Sequence, residues 1–169
     1  SYTVLTTYMS GMALGAWLGG YIADKVKKPL LYYAGIEAFI GLYAVITPFL
    51  FKIIQNIYVV SVSELSADDL YVTFLRVVLG VVVLGIPTIL MGATLPIMFK
   101  YLKQLNIQSD TAISHLYSAN VIGAALGSFA AGYFFIPAIG RIGATNLAAV
   151  FSLMIALYTI EQFKKQKAQ

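Results

Sequence analysis

Val77-Val-Leu-Gly80-Val-Val-Val-Leu-Gly85-Ile-Pro87-Thr88-Ile-Leu-Met91-Gly92-Ala-Thr94-Leu-Pro96-Ile-Met-Phe99 contains no charged residue. As a helix rising about 1.5 Å per residue it reaches about 34 Å. That is enough to cross a bilayer hydrocarbon core of about 30 Å. Its apolar residues do not alternate with polar ones, so a barrel strand is excluded. The same pattern recurs on both sides of it. Residues 1–23 are uncharged, 29–51 contain only Glu37, 70–99 only Arg76, 111–140 only His115, and 142–160 nothing charged. These runs predict five transmembrane helices at about 3–23, 30–53, 70–100, 112–136 and 142–163, an all-α polytopic membrane helix bundle forming a single domain over residues 1–169.

Composition agrees. Of the 169 residues 60% are hydrophobic and 11% charged, with a mean hydropathy of +0.84. A soluble domain carries about 25% charged residues, and a disordered chain needs low hydrophobicity with high charge. Neither fits. The chain has no cysteine and one histidine, His115, so a disulfide framework, a thiol nucleophile and a multi-histidine metal site are excluded. The basic residues lie in short clusters beside apolar runs, where topology signals sit, which argues against nucleic acid as a partner.

Those clusters give an orientation. Lys25, Lys27 and Lys28 follow the first helix, Lys100 and Lys103 the third, and Lys164, Lys165 and Lys167 the fifth: eight of the 11 basic residues. The opposite side carries Lys52, Arg141 and the acidic Glu64, Asp68 and Asp69. The positive-inside rule puts the eight in the cytoplasm. The expected location is the cytoplasmic (inner) membrane, with the N-terminus outside and the C-terminus inside.

Gly11-Met-Ala-Leu-Gly15-Ala-Trp-Leu-Gly19-Gly20-Tyr21 and Gly123-Ala-Ala-Leu-Gly127-Ser-Phe-Ala-Ala-Gly-Tyr133 match at six of eleven positions, 112 residues apart. The same offset lays the second helix on the fifth, with Phe39/Phe151, Ala44/Ala156, Thr47/Thr159 and Phe51/Phe163 in register. The first helix is expected to run inward and the fourth outward, so the repeat is inverted, a transporter signature. The third helix has no mate. Its mate would precede residue 1, so a 3+3 inverted repeat lacking its first helix is expected. The glycines Gly11, Gly15 and Gly19, and Gly123 and Gly127, lie four apart on one face each, where helix backbones approach closely in lipid.

Gly20-Tyr-Ile-Ala-Asp24-Lys25-Val-Lys27-Lys28 resembles the signature loop of the major facilitator superfamily, with Lys27 in place of its second glycine. By that resemblance Gly20, Asp24, Lys25 and Lys28 form a conformational loop rather than a substrate site. A wider resemblance rests on Pro87-Thr-Ile-Leu-Met-Gly-Ala-Thr-Leu-Pro96, Leu116-Tyr-Ser-Ala-Asn120-Val-Ile-Gly-Ala-Ala-Leu-Gly127 and Pro137-Ala-Ile-Gly140. These segments look like the membrane domain of bacterial spermidine-synthase-like proteins, fusions of a major-facilitator-like membrane half with an aminopropyltransferase-like soluble domain. The resemblance implies a membrane architecture. The chain contains no Gly-rich nucleotide loop and no acidic catalytic pair, so no enzyme activity and no cofactor are expected.

Glu37 and Arg76 are charges at membrane depth, where each needs a partner or water. Their places in oppositely directed helices separate them by roughly ten Å or more along the membrane normal. Glu37 is expected to serve as a proton relay, a cation site or an interhelix lock. Pro87 and Pro96 each remove a helical hydrogen bond, so a kink or break is expected around Gly92 and Thr94. Tyr117 and Asn120 are expected to make polar contacts between helices.

Three functions fit. The first is a half-transporter of the facilitator type, acting as a homodimer or with other membrane subunits. The second is a non-catalytic scaffold subunit. The third is the anchor of an aminopropyltransferase-like enzyme whose catalytic domain lies outside this chain. In all three the lipid bilayer is the first partner.

Overall fold

The computed structural model describes residues 2–62, 70–107 and 110–168. They form α1 (Tyr2–Lys25), α2 (Pro29–Val62), α3 (Leu70–Gln104), α4 (Asp110–Ala130), a π-helical turn (Ala131–Phe135) and α5 (Ile136–Ala168). Three helical stretches are long and apolar enough to cross a membrane: 29–56, 77–104 and 110–166. The surface agrees. Trp17, Phe49, Phe74 and Leu157 are each more than 60% exposed. A soluble monomer rarely shows such a continuous apolar surface, and lipid accepts it.

Expected and observed boundaries differ in places. α2 was expected to stop near residue 53 and runs to Val62, because nothing between Lys52 and Val62 breaks a helix. α1, expected to span at 3–23, is long enough but falls outside the apolar set. Its Thr6, Thr7, Ser10 and glycines dilute it. The loop expected between 136 and 142 shrinks to one residue. Gly140 has φ 73° and ψ 173°, non-helical angles open in practice only to glycine, and it breaks α5. α3 ends at Gln104 and is closed by Asn106, left-handed at φ 56°. Ile107 N–H bonds to Leu102 O and Asn106 N–H to Lys103 O, the paired bonds of a Schellman cap.

The helices pack in the order α1, α3, α2, α5. α1 and α3 run parallel. A Cβ on Gly11 would run into the Thr88 side chain, one on Gly15 into the Ile89 carbonyl, and one on Gly19 into Ala93 at 2.6 Å. From the other side, Gly92 faces the Met12 backbone. At these glycines the backbones of α1 and α3 come close together. α2 and α5 run antiparallel. Lys28 lies over the Phe163 ring at one end, Gly41 packs on Ala149 and Leu153 midway, and Thr47 shares a cleft with Thr145 at the other end. Gln104 Nε2 donates to Lys27 O, and Gln166 Nε2 to Tyr101 Oη. The lysine clusters therefore gather at one end of the bundle.

Two expectations fail here. Gly123 and Gly127 meet nothing within 4 Å, and α4 buries none of its residues. Their stripe packs on no described residue. Nor does α3 break at its prolines: it is one helix through Pro87 and Pro96. Pro87 leaves the carbonyl four residues back, Val83 O, without its helical donor. Tyr43 Oη of α2 donates to that oxygen at 2.9 Å. The orphan acceptor is satisfied from outside the helix.

Candidate functional site

Glu37 lies about 12 Å along α2 from its start. Its carboxylate is half-buried against α5 and interacts with the hydroxyls of Tyr33, one turn back, and Ser152 of α5. Small neighbours make this possible. Ala34, Ala149 and Ala156 are almost fully buried, and Gly41 lets α5 close in. Tyr33 also packs on the junction of α1 and α3, beside Ala23, Ala93 and Ile97. A single acid-and-hydroxyl cluster thus touches both the contact of α2 with α5 and the junction of α1 and α3. Among the described residues the one ion pair is Glu161–Lys165, on the surface at 2.8 Å, so Glu37 meets no cation there. Chemically the cluster can hold a proton or a small cation.

Arg76 belongs to α3, and its side chain lies outside the described residues. The α2–α3 register, set by Tyr43 against Val83, puts position 76 about 20 Å along the bundle from Glu37. The two positions are therefore not neighbours, as their depths implied. Glu64, Asp68 and Asp69 also lie outside the described residues.

The loop residues sit at the lysine-rich end. Gly20 and Asp24 line a cleft of about 520 Å³ with Pro96, Lys100 and Lys103 of α3. Lys25 turns back onto its own helix, its Nζ 3.9 Å from the Tyr21 ring centroid and bonded to the Tyr21 hydroxyl. Lys28 lies 5.7 Å from the Phe163 ring centroid. The structure thus gathers Asp24, Lys100 and Lys103, while Lys25 and Lys28 serve aromatic faces. Thr94 and the neighbouring Thr88 bond their own helix, Thr94 to Met91 O at 2.7 Å and Thr88 to Leu84 O at 2.8 Å. Gly92 is a packing residue under α1. The segment from Pro87 to Pro96 forms no open binding loop. Tyr117 and Asn120, expected to bridge helices, are exposed on α4.

Ser152 was the partner that sequence reasoning missed. The offset of 112 pairs it with Ile40, which hides a polar role. The helical step from Ala149 and the closeness of α2 to α5 were the only signals for it. Among the described residues no group of histidine and carboxylates could hold a metal. Comparisons with protein families, with characterised proteins and with solved structures find no match to the chain. The functional reading therefore rests on the geometry.

Proposed function

We propose that the chain is a facilitator-like half-transporter of the cytoplasmic membrane. It crosses the bilayer five times as part of a 3+3 inverted repeat and works as an oligomer. One observation carries the reading: Glu37 faces Ser152 across the contact between α2 and α5, a pair of helices that the offset of 112 relates. An inverted repeat requires its equivalent helices to run oppositely, and α2 and α5 do. The lysines at one end support an N-terminus outside and a C-terminus in the cytoplasm. The resemblance to the membrane domain of spermidine-synthase-like proteins fits, since it implies architecture without chemistry.

The absence of native cysteine makes the test direct. Single cysteines are placed along the α2 and α5 faces flanking Glu37 and labelled in vesicles with a membrane-impermeant thiol reagent from each side. A transporter gives positions reactive from both sides, with a ratio that shifts in E37Q. Labelling from one side only, unchanged in E37Q, would sink the reading. The scaffold reading is favoured by one feature, the glycine face of α4 with no described neighbour. It predicts a stable heteromeric complex on gentle purification instead of a homodimer.

A further inference from the structure

Three basic residues depart from the cytoplasmic clustering, and two of them, Lys52 and Arg141, converge. They come from helices far apart in sequence, yet they line one cleft of about 720 Å³ between α2, α3 and α5. Lys52 stands about 36 Å along α2 from Lys28, and Arg141 about 35 Å along α5 from Lys164. The cleft therefore lies one hydrocarbon thickness from the lysine-rich end, where headgroups of the far leaflet sit. Its walls are apolar, with Phe51 and Ile142 both more than half exposed. Among the described residues no Asp or Glu lines it and neither cation has an ion-pair partner. Arg141 follows Gly140 directly, so the glycine break at the head of the last helical stretch sets it at the rim.

We propose that this cleft binds an anionic phospholipid, its phosphate between Lys52 and Arg141 and an acyl chain along Phe51 and Ile142. Two converging cations call for an anion, and basic pockets between membrane helices hold acidic headgroups. An inorganic anion fills little of the volume and makes no use of the apolar walls. An acyl chain does both. The site goes beyond the transport reading and is independent of Glu37.

The test uses the full chain in nanodiscs containing equal amounts of dioleoylphosphatidylglycerol and dioleoylphosphatidylcholine. Native mass spectrometry reads the ratio of the two lipids retained. Each cation contributes about a five-fold preference for the anionic lipid. The ratio is expected to fall about five-fold in K52Q or R141Q and about 25-fold in the double variant, and to hold in K52R and R141K. Both positions are exposed, so folding survives, and the unmodified chain supplies its own reading of lipid preference. Equal retention of both lipids by the unmodified chain overturns the proposal. So does a ratio unchanged in the double variant, which would put the preference on the lysine clusters. Displacement of the bound lipid by free glycerol 1-phosphate also overturns it, assigning the cleft to a soluble anion.

Discussion

The Tyr43 hydroxyl donates to the Val83 carbonyl at 2.9 Å, and Val83 O is the acceptor that Pro87 deprives of its helical donor. One side chain of α2 thus completes the hydrogen bonding of α3. Y43F is expected to leave that carbonyl unpaired in an apolar setting and to cost about 1 kcal/mol or more. P87A returns the backbone donor at position 87. In the P87A background Y43F should therefore cost less. A double-mutant cycle on unfolding in mixed micelles checks this, and additive costs would refute the capping role.

The two glycine stripes should respond differently to the same change. In α1 a Cβ at Gly15 meets the Ile89 carbonyl, which is backbone and cannot step aside. G15A is expected to push α1 off α3, at the upper end of the roughly 1–3 kcal/mol seen for overpacking. In α4, Gly127 has open space. G127A should leave the fold intact or raise helix stability by up to about 1 kcal/mol. G127L tests the oligomer. If α4 uses its glycine face against another chain, the assembled species shrinks on size-exclusion chromatography while monomer helicity holds.

This contrast marks how far the sequence could be read. The apolar runs, the lysine clusters and the stripe at Gly11, Gly15 and Gly19 were legible because each is a local pattern set by lipid or by close backbone approach. The directions of α1, α2, α3 and α5 followed from the lysines, and the packed bundle agrees with them. The effect of the prolines was not legible, because the group that satisfies Val83 O lies 40 residues away in sequence. The extent of α2 was not legible either, since apolarity says where lipid ends and not where a helix does. Glu37 stood out as a charge in an apolar run, whereas Ser152 looks like any small residue in α5. Lys52 and Arg141 read as separate loop charges until the antiparallel contact of α2 and α5 brought them to one cleft.

Gly140 should tolerate no side chain. Its φ of 73° with ψ of 173° falls where an L-residue is strained by about 1–3 kcal/mol. G140A is expected to lose that much stability, or to straighten the break and carry Arg141 away from Lys52. Gly127 is helical with open space around it, and G127A serves as a comparison. Anionic-lipid preference, read as above, separates the outcomes. A loss of stability with preference kept means strain alone, and a loss of both means a moved rim.

Glu37 faces two hydroxyls, Tyr33 on its own helix and Ser152 across the interface. E37Q retains an acceptor for them and should change stability by less than about 1 kcal/mol. E37L removes both acceptors and should leave Tyr33 and Ser152 unpaired, at about 1–3 kcal/mol. S152A should then cost about 1 kcal/mol in the unmodified chain and close to nothing in the E37L background. These stability values separate a lock from a site. A purely structural lock predicts that E37Q, stable and folded, keeps every accessibility ratio of the native chain. A proton or cation site predicts that E37Q keeps the fold and shifts the ratio between the two sides, because an amide can take the hydrogen bonds of a carboxylate but not its proton or its charge.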